Sequence, residues 1–396
     1  MRKQLIVSLL CMHFGLMSIT PWYMQQGQQQ LTKRSVETKK ERKLKYLHIG
    51  FHKGCILEVD RVAKDLDIDV TPWFIFDKPL EHFEGQNAGL YVYNITAERA
   101  QRVWEKHKDY FDQFDAIITS DTAPLSRIFL QNDNWKKPLI IWVCNRFDFF
   151  FSPSHKPLDF PDETYYELFR TATKKNNVFV VSYTPYEWYH ALQKGVDIGL
   201  RTIKPIGVVE GTNRYRDPKW SVPAHVDKES TVFLYPRLNE QQMHYINEQC
   251  TKNNIKTYSG RYNGTNDIAD FKGIMYWPYQ WSNLCLFEDF HRGLVHFVPS
   301  ISFLKQLEDE GAPIHPVMSS MLENRTFEFN EWYCKDHKEL IVYYDSWQDL
   351  QHKIENTDYF SMRKKIKAFA SEHKKDMMHR WKELFDDVLL CAQKEA

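Results

Sequence analysis

The stretch GIMYWPYQWSNLCLFEDFHRGLVHFV, residues 273–298, holds two apolar runs with a helical pattern between them. The runs 273–277 and 294–298 are short and continuous, as in strands buried on both faces, and residues 282–291 have the spacing of an amphipathic helix. A strand, a helix and a strand in this order are typical of a βαβ unit, whose two strands are parallel in one sheet. The stretch therefore predicts a parallel sheet covered by helices.

The same alternation extends along the chain in both directions. Further strands are predicted at 46–50, 70–76, 116–119, 139–143, 178–182, 202–203, 231–235 and 256–258. Residues 210–230 interrupt the pattern with Gly, Pro, Asn and mixed charges, which is typical of a linker. We predict two doubly wound, Rossmann-like α/β domains, 46–222 and 223–375, that face each other across a cleft. A last helical segment, 376–396, is predicted to cross back onto the first domain.

The charge balance argues against nucleic acid as a partner. Among the 396 residues, 52 are Lys or Arg and 52 are Asp or Glu, so no net field attracts a polyanion. The seven cysteines include no CxxC pair and no Cys/His ligand spacing, which argues against a zinc site. We predict no metal ligands. The pairing of the cysteines stays open, because it depends on their proximity in space.

The first residues predict a membrane anchor. Arg2 and Lys3 precede an apolar stretch that continues to about Met24, close to the length that crosses a bilayer. The following residues are polar and lack an apolar period, as in an unfolded stem. We predict a signal anchor over 1–24, a stem over 25–45, and a single-pass type II protein of the Golgi or endoplasmic reticulum membrane with a luminal body. A cleaved signal peptide is the alternative.

Two motifs in the second half resemble the donor domain of glycosyltransferases with the GT-B architecture. Residues 233–237, FLYPR, are similar to the first strand of that domain, which ends in a basic residue facing the donor diphosphate. Residues 276–293, followed by the VPS of 298–300, are similar to its strand, loop, Glu-bearing helix, Gly and next strand. The resemblance covers most of 46–390. It implies a nucleotide-sugar donor as co-substrate, no other cofactor, and a glycan, glycoprotein or other hydroxyl acceptor.

These motifs supply the candidate donor-binding residues Arg237, Tyr279, Asn283 and Glu288. A glutamate near the start of such a helix can accept both ribose hydroxyls, and the N–H groups of the helix N-terminus favour the diphosphate. Arg237 would neutralise phosphate charge with its planar guanidinium. Retaining members often have an acidic residue where the QWS of 280–282 stands, so the stereochemical outcome stays open. The resemblance implies a metal-independent reaction, in which cationic side chains and helix termini stabilise the leaving diphosphate.

Polar residues that follow strands of the first domain are candidates for a catalytic base. An inverting transfer needs a base to remove the proton of the acceptor hydroxyl, and His52, Asp121 or Asp148 could supply it. Structural roles are the alternative, because histidines hold loops together and aspartates cap helices and turns. Gly54, two residues after His52, is placed to allow close approach of another backbone.

A second resemblance competes with the first. Residues 47–55, LHIGFHKGC, also resemble the phosphosulfate-binding loop of Golgi sulfotransferases, in which a lysine after a strand holds a phosphate. Those loops continue with Thr or Ser, whereas Ile56 follows here, and a sulfotransferase leaves the second domain unexplained. A non-catalytic sugar-binding protein is the third possibility, because a fold alone does not prove activity.

Overall fold

The computed structural model describes residues 43–75, 95–144, 147–148, 163–208 and 221–395. The predicted anchor, 1–24, and the predicted stem as far as residue 42 lie outside these ranges. Within them, no helix combines the length and the apolar character needed to cross a bilayer. This finding contradicts the predicted localisation in the membrane of the Golgi or endoplasmic reticulum, which rested on the hydropathy of the first residues alone.

The first lobe is built on a five-stranded parallel sheet. Its strands are β1 (Lys45–Gly50), β2 (Asp69–Phe74), β3 (Ala116–Asp121), β4 (Leu139–Val143) and β5 (Val178–Ser182). Its helices are α1 (Lys53–Leu66), α2 (Ala97–Phe111), α3 (Arg127–Leu130), α4 (Glu163–Ala172) and α5 (Pro185–Gln193). The strands β3 and β4 are buried along their whole length, which explains their continuous apolar sequence. The strand predicted at 202–203 is reduced to one bridge between Ser182 and Thr202.

The second lobe repeats this design. Its parallel strands are β6 (Val232–Leu234), β7 (Thr257–Tyr258), β8 (Gly273–Met275), β9 (His296–Pro299) and β10 (Ile341–Tyr344). Its helices are α6 (Glu240–Lys252), α7 (Thr265–Ile268), α8 (Leu284–Arg292), α9 (Ile301–Asp309), α10 (Pro316–Asn324), α11 (Trp347–Asn356) and α12 (Tyr359–Glu395). The helix α8 begins after a loop of residues 276–283, where Asn283 caps it: its Oδ1 accepts the N–H of Cys285 at 3.3 Å.

Both sheets have the same strand order. The first runs β2-β1-β3-β4-β5 and the second β10-β9-β8-β6-β7, so each follows the doubly wound order 2-1-3-4-5. The order reverses between β1 and β3 in the first lobe and between β6 and β8 in the second. Open parallel sheets bind ligands beyond the carboxyl ends of the strands at this reversal. The predicted pair of doubly wound sheets is confirmed, and the two reversals indicate where a site lies.

One long helix joins the two lobes. α12 has 37 residues and is therefore about 55 Å long. Ile366 and Ala370 in its first half belong to the apolar core of the second lobe, whereas Trp381 in its second half lies in the core of the first. The rings of Trp381 and Trp142 are 5.4 Å apart, and both side chains are fully buried. The predicted crossing of the C-terminal helix onto the first lobe is confirmed, and the helix begins at Tyr359.

Aromatic rings connect the lobes at a second place. Tyr186 on α5 stacks on Trp281, from the loop before α8, with 3.7 Å between ring centroids. Tyr189, one turn further along α5, stacks on Phe329 of the second lobe at 4.8 Å. Stacked and edge-on aromatic pairs contribute beyond the area that they bury. These contacts hold the loop that precedes α8 against the first lobe.

Candidate functional site

The two reversals of strand order open onto one cavity between the lobes. Its volume is about 170 Å³. It is lined by His52, Cys55, Asp121, Cys144 and Tyr183 of the first lobe and by Tyr279, Gln280, Ser282, Asn283 and Leu284 of the second. The lobes are close at its edge, where a Cβ on Gly54 would come within 2.7 Å of the Leu284 side chain. The close neighbour of Gly54 is thus a side chain, whereas its position predicted the approach of a backbone.

His52 and Asp121 come together at the carboxyl edge of the first sheet. His52 lies at the N-cap position of α1, with an exposed ring, and its Nδ1 is 3.8 Å from the Sγ of Cys55. Asp121 ends β3 with φ at 74°, in the left-handed region that side chains other than Gly rarely adopt, although Asp adopts it more readily than most. The residue is buried. A strained backbone held in place by its surroundings is typical of functional sites.

The charge of Asp121 favours the protonated form of His52. Loss of hydration lowers the pKa of His52, while Cys55 and Asp121 raise it to about 9. The contact of Cys55 with Cys144, together with burial, raises the pKa of the Cys55 thiol well above 9. Cys55 is the first contributor to the raised pKa of His52, and the carboxylate of Asp121 adds to it.

The second lobe contributes a helix N-terminus and a cation. The Asn283 side chain donates to the hydroxyl oxygens of Tyr276 at 3.1 Å and Tyr279 at 2.9 Å, which fixes the entry of α8 at the cavity. Arg237, three residues beyond the first strand of this lobe, is exposed. Its charge lowers the pKa of His52, although the residue does not line the cavity. Of the four predicted donor-binding residues, Tyr279 and Asn283 line the cavity.

Glu288 lies deeper between the lobes than the cavity lining. It is one turn beyond Leu284 on α8, and its Oε2 accepts the hydroxyl of Thr265 at 3.3 Å. Burial and the charge of Asp289 raise the pKa of Glu288 to about 8. Glu58 of α1 is close enough for the two carboxyl groups to interact. The residue therefore sits at the junction of the lobes, next to the cavity rather than at its surface.

Asp148 is separate from this group. Its Oδ2 accepts the hydroxyl of Tyr166, and its Oδ1 is bonded to the ring of His190, both at 2.5 Å. Burial opposes the carboxylate, but these two contacts outweigh it and lower the pKa of Asp148. The side chain does not line the cavity. The structure thus brings together His52 and Asp121 of the predicted bases and not Asp148, whose contacts indicate a structural role.

Some residues in or beside the cavity were not among the predicted site residues. Tyr183 and Cys144 line the first lobe's side. Glu331, from the segment after α10, is buried beneath α8, and its Oε2 accepts the N–H of Asn283 at 3.2 Å. Burial raises the pKa of Glu331 to about 7, although Lys204 and this N–H lower it. Nothing in the sequence around Glu331 marks it, since it follows no predicted strand.

Comparisons with known proteins support the architecture. No protein-family model matches the chain, and no curated protein is significantly similar to it. HepE of Anabaena, solved in complex with UDP, aligns with a TM-score of 0.51 at 14% identity, over 87% of this chain and 100% of that one. The chain has the GT-B fold.

Two further GT-B neighbours are similar at lower scores. The glycosyltransferase SnogD of Streptomyces nogalater has a TM-score of 0.44 and 9% identity, over 87% of this chain and 99% of that one. UGT89C1 of Arabidopsis thaliana, solved with UDP-L-rhamnose, has a TM-score of 0.49 and 12% identity, over 89% and 100%. At identities this low, the likeness to these proteins describes the fold and not the reaction.

The GT-B fold also bears on the alternatives. It accounts for the second lobe, which the likeness of residues 47–55 to a sulfotransferase loop leaves unexplained. In the described part of the chain, no group of His, Cys, Asp or Glu side chains is arranged to hold a metal ion. The sequence does contain the Asp-x-Asp spacing typical of metal-binding transferases, at Asp65 and Asp67. These residues lie at the end of α1 away from the cavity, where Asp65 pairs with Arg61 and Lys374.

Proposed function

We propose that the chain transfers a sugar from a nucleotide-sugar donor to a hydroxyl group of a glycan, a glycoprotein or another acceptor. One observation carries the proposal: His52 and Asp121 of one lobe share a single cavity with the capped N-terminus of α8 in the other lobe, and the charge of Arg237 acts on His52 from beside that cavity. The first pair suits proton removal and the second suits a diphosphate. The GT-B fold supports the proposal, because its two doubly wound sheets both end at the interlobe cleft.

His52 acts as the base in this proposal. Its neutral imidazole takes the proton of the acceptor hydroxyl as the oxygen bonds to the anomeric carbon of the donor sugar. The carboxylate of Asp121 stabilises the imidazolium that forms, as in other catalytic His and Asp pairs. A base on the acceptor side, without an acidic residue at 280–282, supports a single displacement with inversion.

Arg237 and the N-terminus of α8 bind the leaving group. The bond from the anomeric carbon to the diphosphate oxygen breaks in the same step, and negative charge develops on the nucleoside diphosphate. A guanidinium and the partial positive charge of a helix N-terminus stabilise that charge without a metal ion. Tyr279 and Asn283 hold the helix entry in position, and Glu288, one turn further along α8, would accept the ribose hydroxyls of a donor that reaches beyond the present cavity lining.

A donor panel tests the substrate class. We expect UDP or GDP, and their sugars, to raise the melting temperature of the full chain, because a ligand that binds only the folded state stabilises it. The adenosine phosphosulfate donor serves as the control for the sulfotransferase alternative. Stabilisation by that donor and by no nucleotide sugar would overturn the proposal.

Variants of His52 separate an enzyme from a sugar-binding protein. We expect His52→Gln to leave donor affinity within a few fold of the unchanged chain and to lower the release of nucleoside diphosphate with acceptor present by about 100-fold or more. The matched control is His244→Gln, since His244 is an exposed residue of α6, away from the cavity. Donor binding without turnover in the unchanged chain would identify a binding protein instead.

A further inference from the structure

A second cavity lies at the other end of the same two interlobe helices. Its volume is about 240 Å³, and it shares no residue with the first cavity. It is lined by Arg61 of α1, Ile206, Gly207 and Val208 of the segment that leaves the first lobe, His291 and Arg292 of α8, and Lys374 of α12. Both lobes and the helix that joins them therefore contribute side chains to one enclosure.

This second cavity has more cationic side chains than the carboxylate of Asp65 can neutralise. Asp65 pairs with Arg61 at 3.0 Å and with Lys374 at 3.2 Å, so one negative charge serves two cations. Arg292 adds a third positive charge from the opposite lobe. Its Nε is buried and has no hydrogen-bond partner among the described residues. A buried donor without an acceptor is costly, and it indicates a place for an anionic oxygen.

The pKa of His291 indicates that the electrostatic potential in this cavity is positive. Its Nε2 donates to the carbonyl oxygen of Ile206 at 2.6 Å, which fixes the ring against the linker segment. Burial lowers the pKa of His291, and the charges of Lys374 and Arg292 lower it further. The ring is therefore neutral at physiological pH, and the excess of positive charge comes from the Arg and Lys side chains.

The backbone of the linker segment is already engaged. The carboxyl group of Glu58 accepts the N–H of Ile206, and it also accepts from Gly207 and Val208. An anion in the cavity would therefore bind to the guanidinium and ammonium groups. Arginine is suited to this role, because its planar fork bonds two phosphate oxygens at once.

We propose that this cavity is a binding site for a phosphate group, in addition to the interlobe site of the proposed function. The volume suits a small oxyanion, since it is below the range typical of drug-sized ligands. An adjoining depression of about 520 Å³ shares His291 and Lys374 and adds Lys375. It provides room for the organic part of a phosphomonoester, so inorganic phosphate and a phosphorylated metabolite are the two sources of the same chemistry.

A bound phosphate connects the lobes. Arg61 belongs to the helix that starts at His52, and Arg292 ends the helix that starts beside Asn283. An anion that bonds to both arginines therefore stabilises one arrangement of the two helices whose other ends form the catalytic cleft. The site acts on the relative position of the lobes and leaves the cleft itself unobstructed.

Calorimetric titration of the full chain tests this site. The probes are inorganic phosphate and glycerol phosphate, each against chloride at equal ionic strength. We expect saturable phosphate binding that Arg292→Gln and Lys374→Gln each weaken about tenfold or more, the usual effect of removing a charge-assisted hydrogen bond. Lys364→Gln, which changes an exposed lysine on the same helix α12, is the matched control and should bind phosphate as the unchanged chain does.

The same titrations assign the binding to one cavity and to one source. Arg237→Gln in the interlobe cleft should leave phosphate binding unchanged, and Lys374→Gln should leave UDP binding unchanged, so either proposal can fail alone. Tighter binding of glycerol phosphate than of phosphate identifies an organic ligand, and the reverse identifies inorganic phosphate. Equal phosphate affinity in both cavity variants, or no binding beyond that of chloride, overturns the site. If Arg292→Gln does not fold, Lys374→Gln still tests the site. The Lys374 side chain is 34% exposed, so its replacement should have little effect on folding.

Discussion

Replacing Asp121 by Asn should move the pH dependence of the reaction downwards. The change removes one negative charge and keeps the shape of the side chain, and Asn is among the few residues that accept a φ of 74°. A neighbouring opposite charge shifts the pKa of a titrating group by about 1 to 3 units. For a histidine, loss of a nearby negative charge lowers the pKa. The pKa of His52 is about 9 with Asp121 in place. We therefore expect the pKa of His52 to fall by up to about one unit in the variant, because the larger contribution of Cys55 is unchanged.

The sign of the effect follows from the role of the base. Only the neutral imidazole accepts a proton, so kcat/KM should rise with pH and level off above the pKa of His52 in the free enzyme. The acidic limb of the profile should lie near pH 9 in the unchanged chain and move to lower pH in Asp121→Asn. The plateau should be lower, because the imidazolium that forms loses its carboxylate.

The assay measures release of nucleoside diphosphate between pH 6 and 10 at low donor concentration. Asp270→Asn is the control, since Asp270 is exposed in the second lobe, and its profile should match that of the unchanged chain. An acidic limb that stays at the same pH in Asp121→Asn would refute the electrostatic role of this carboxylate. Chemical denaturation gives a second readout: the imidazolium stabilises the folded chain below about pH 6.5, and this contribution is lost as the pH rises through about 9.

Three further predictions concern the donor side and the long helix. Arg237→Gln should weaken UDP binding about tenfold in calorimetry, and Arg237→Lys should weaken it less, because the charge is kept and the fork is lost. Glu288→Ala should weaken donor binding with little loss of stability, and unchanged affinity would remove Glu288 from the donor site. Trp381→Ala should lower the free energy of unfolding by about 3 to 5 kcal/mol in denaturant titrations, because the indole is fully buried against Trp142.

The fold could be predicted from the sequence because buried parallel strands are rich in consecutive apolar residues. β3 and β4 illustrate this, as both are buried along their whole length and were predicted within two residues of their observed ends. The strand at 202–203 was wrong in extent, because a short apolar pair does not show whether a neighbouring strand is available. The predicted membrane localisation, which rested on the hydropathy of residues 1–24, is contradicted by the lack of a bilayer-spanning helix in the described part of the chain.

The candidate site could be predicted from the sequence only in part. His52 and Asp121 follow adjacent strands, and the carboxyl ends of parallel strands meet at one edge, so their proximity follows from topology. Asp148 also follows a strand, yet its bonds to Tyr166 and His190 depend on how α4 and α5 pack, which no local pattern reveals. Glu331 was missed because it contacts the N-terminus of α8 through tertiary packing alone, from a segment far along the chain.

The helix α12 has a consequence for how the protein is made. The core of the first lobe contains Trp381, Leu384 and Val388, which leave the ribosome only after all the strands of the second lobe. At about 5 to 20 residues per second, the nascent first lobe waits on the order of ten seconds or more after its own strands have been synthesised. During that interval the apolar surface around Trp142 has no cover, so biosynthesis of this chain should depend on chaperones and be sensitive to premature termination.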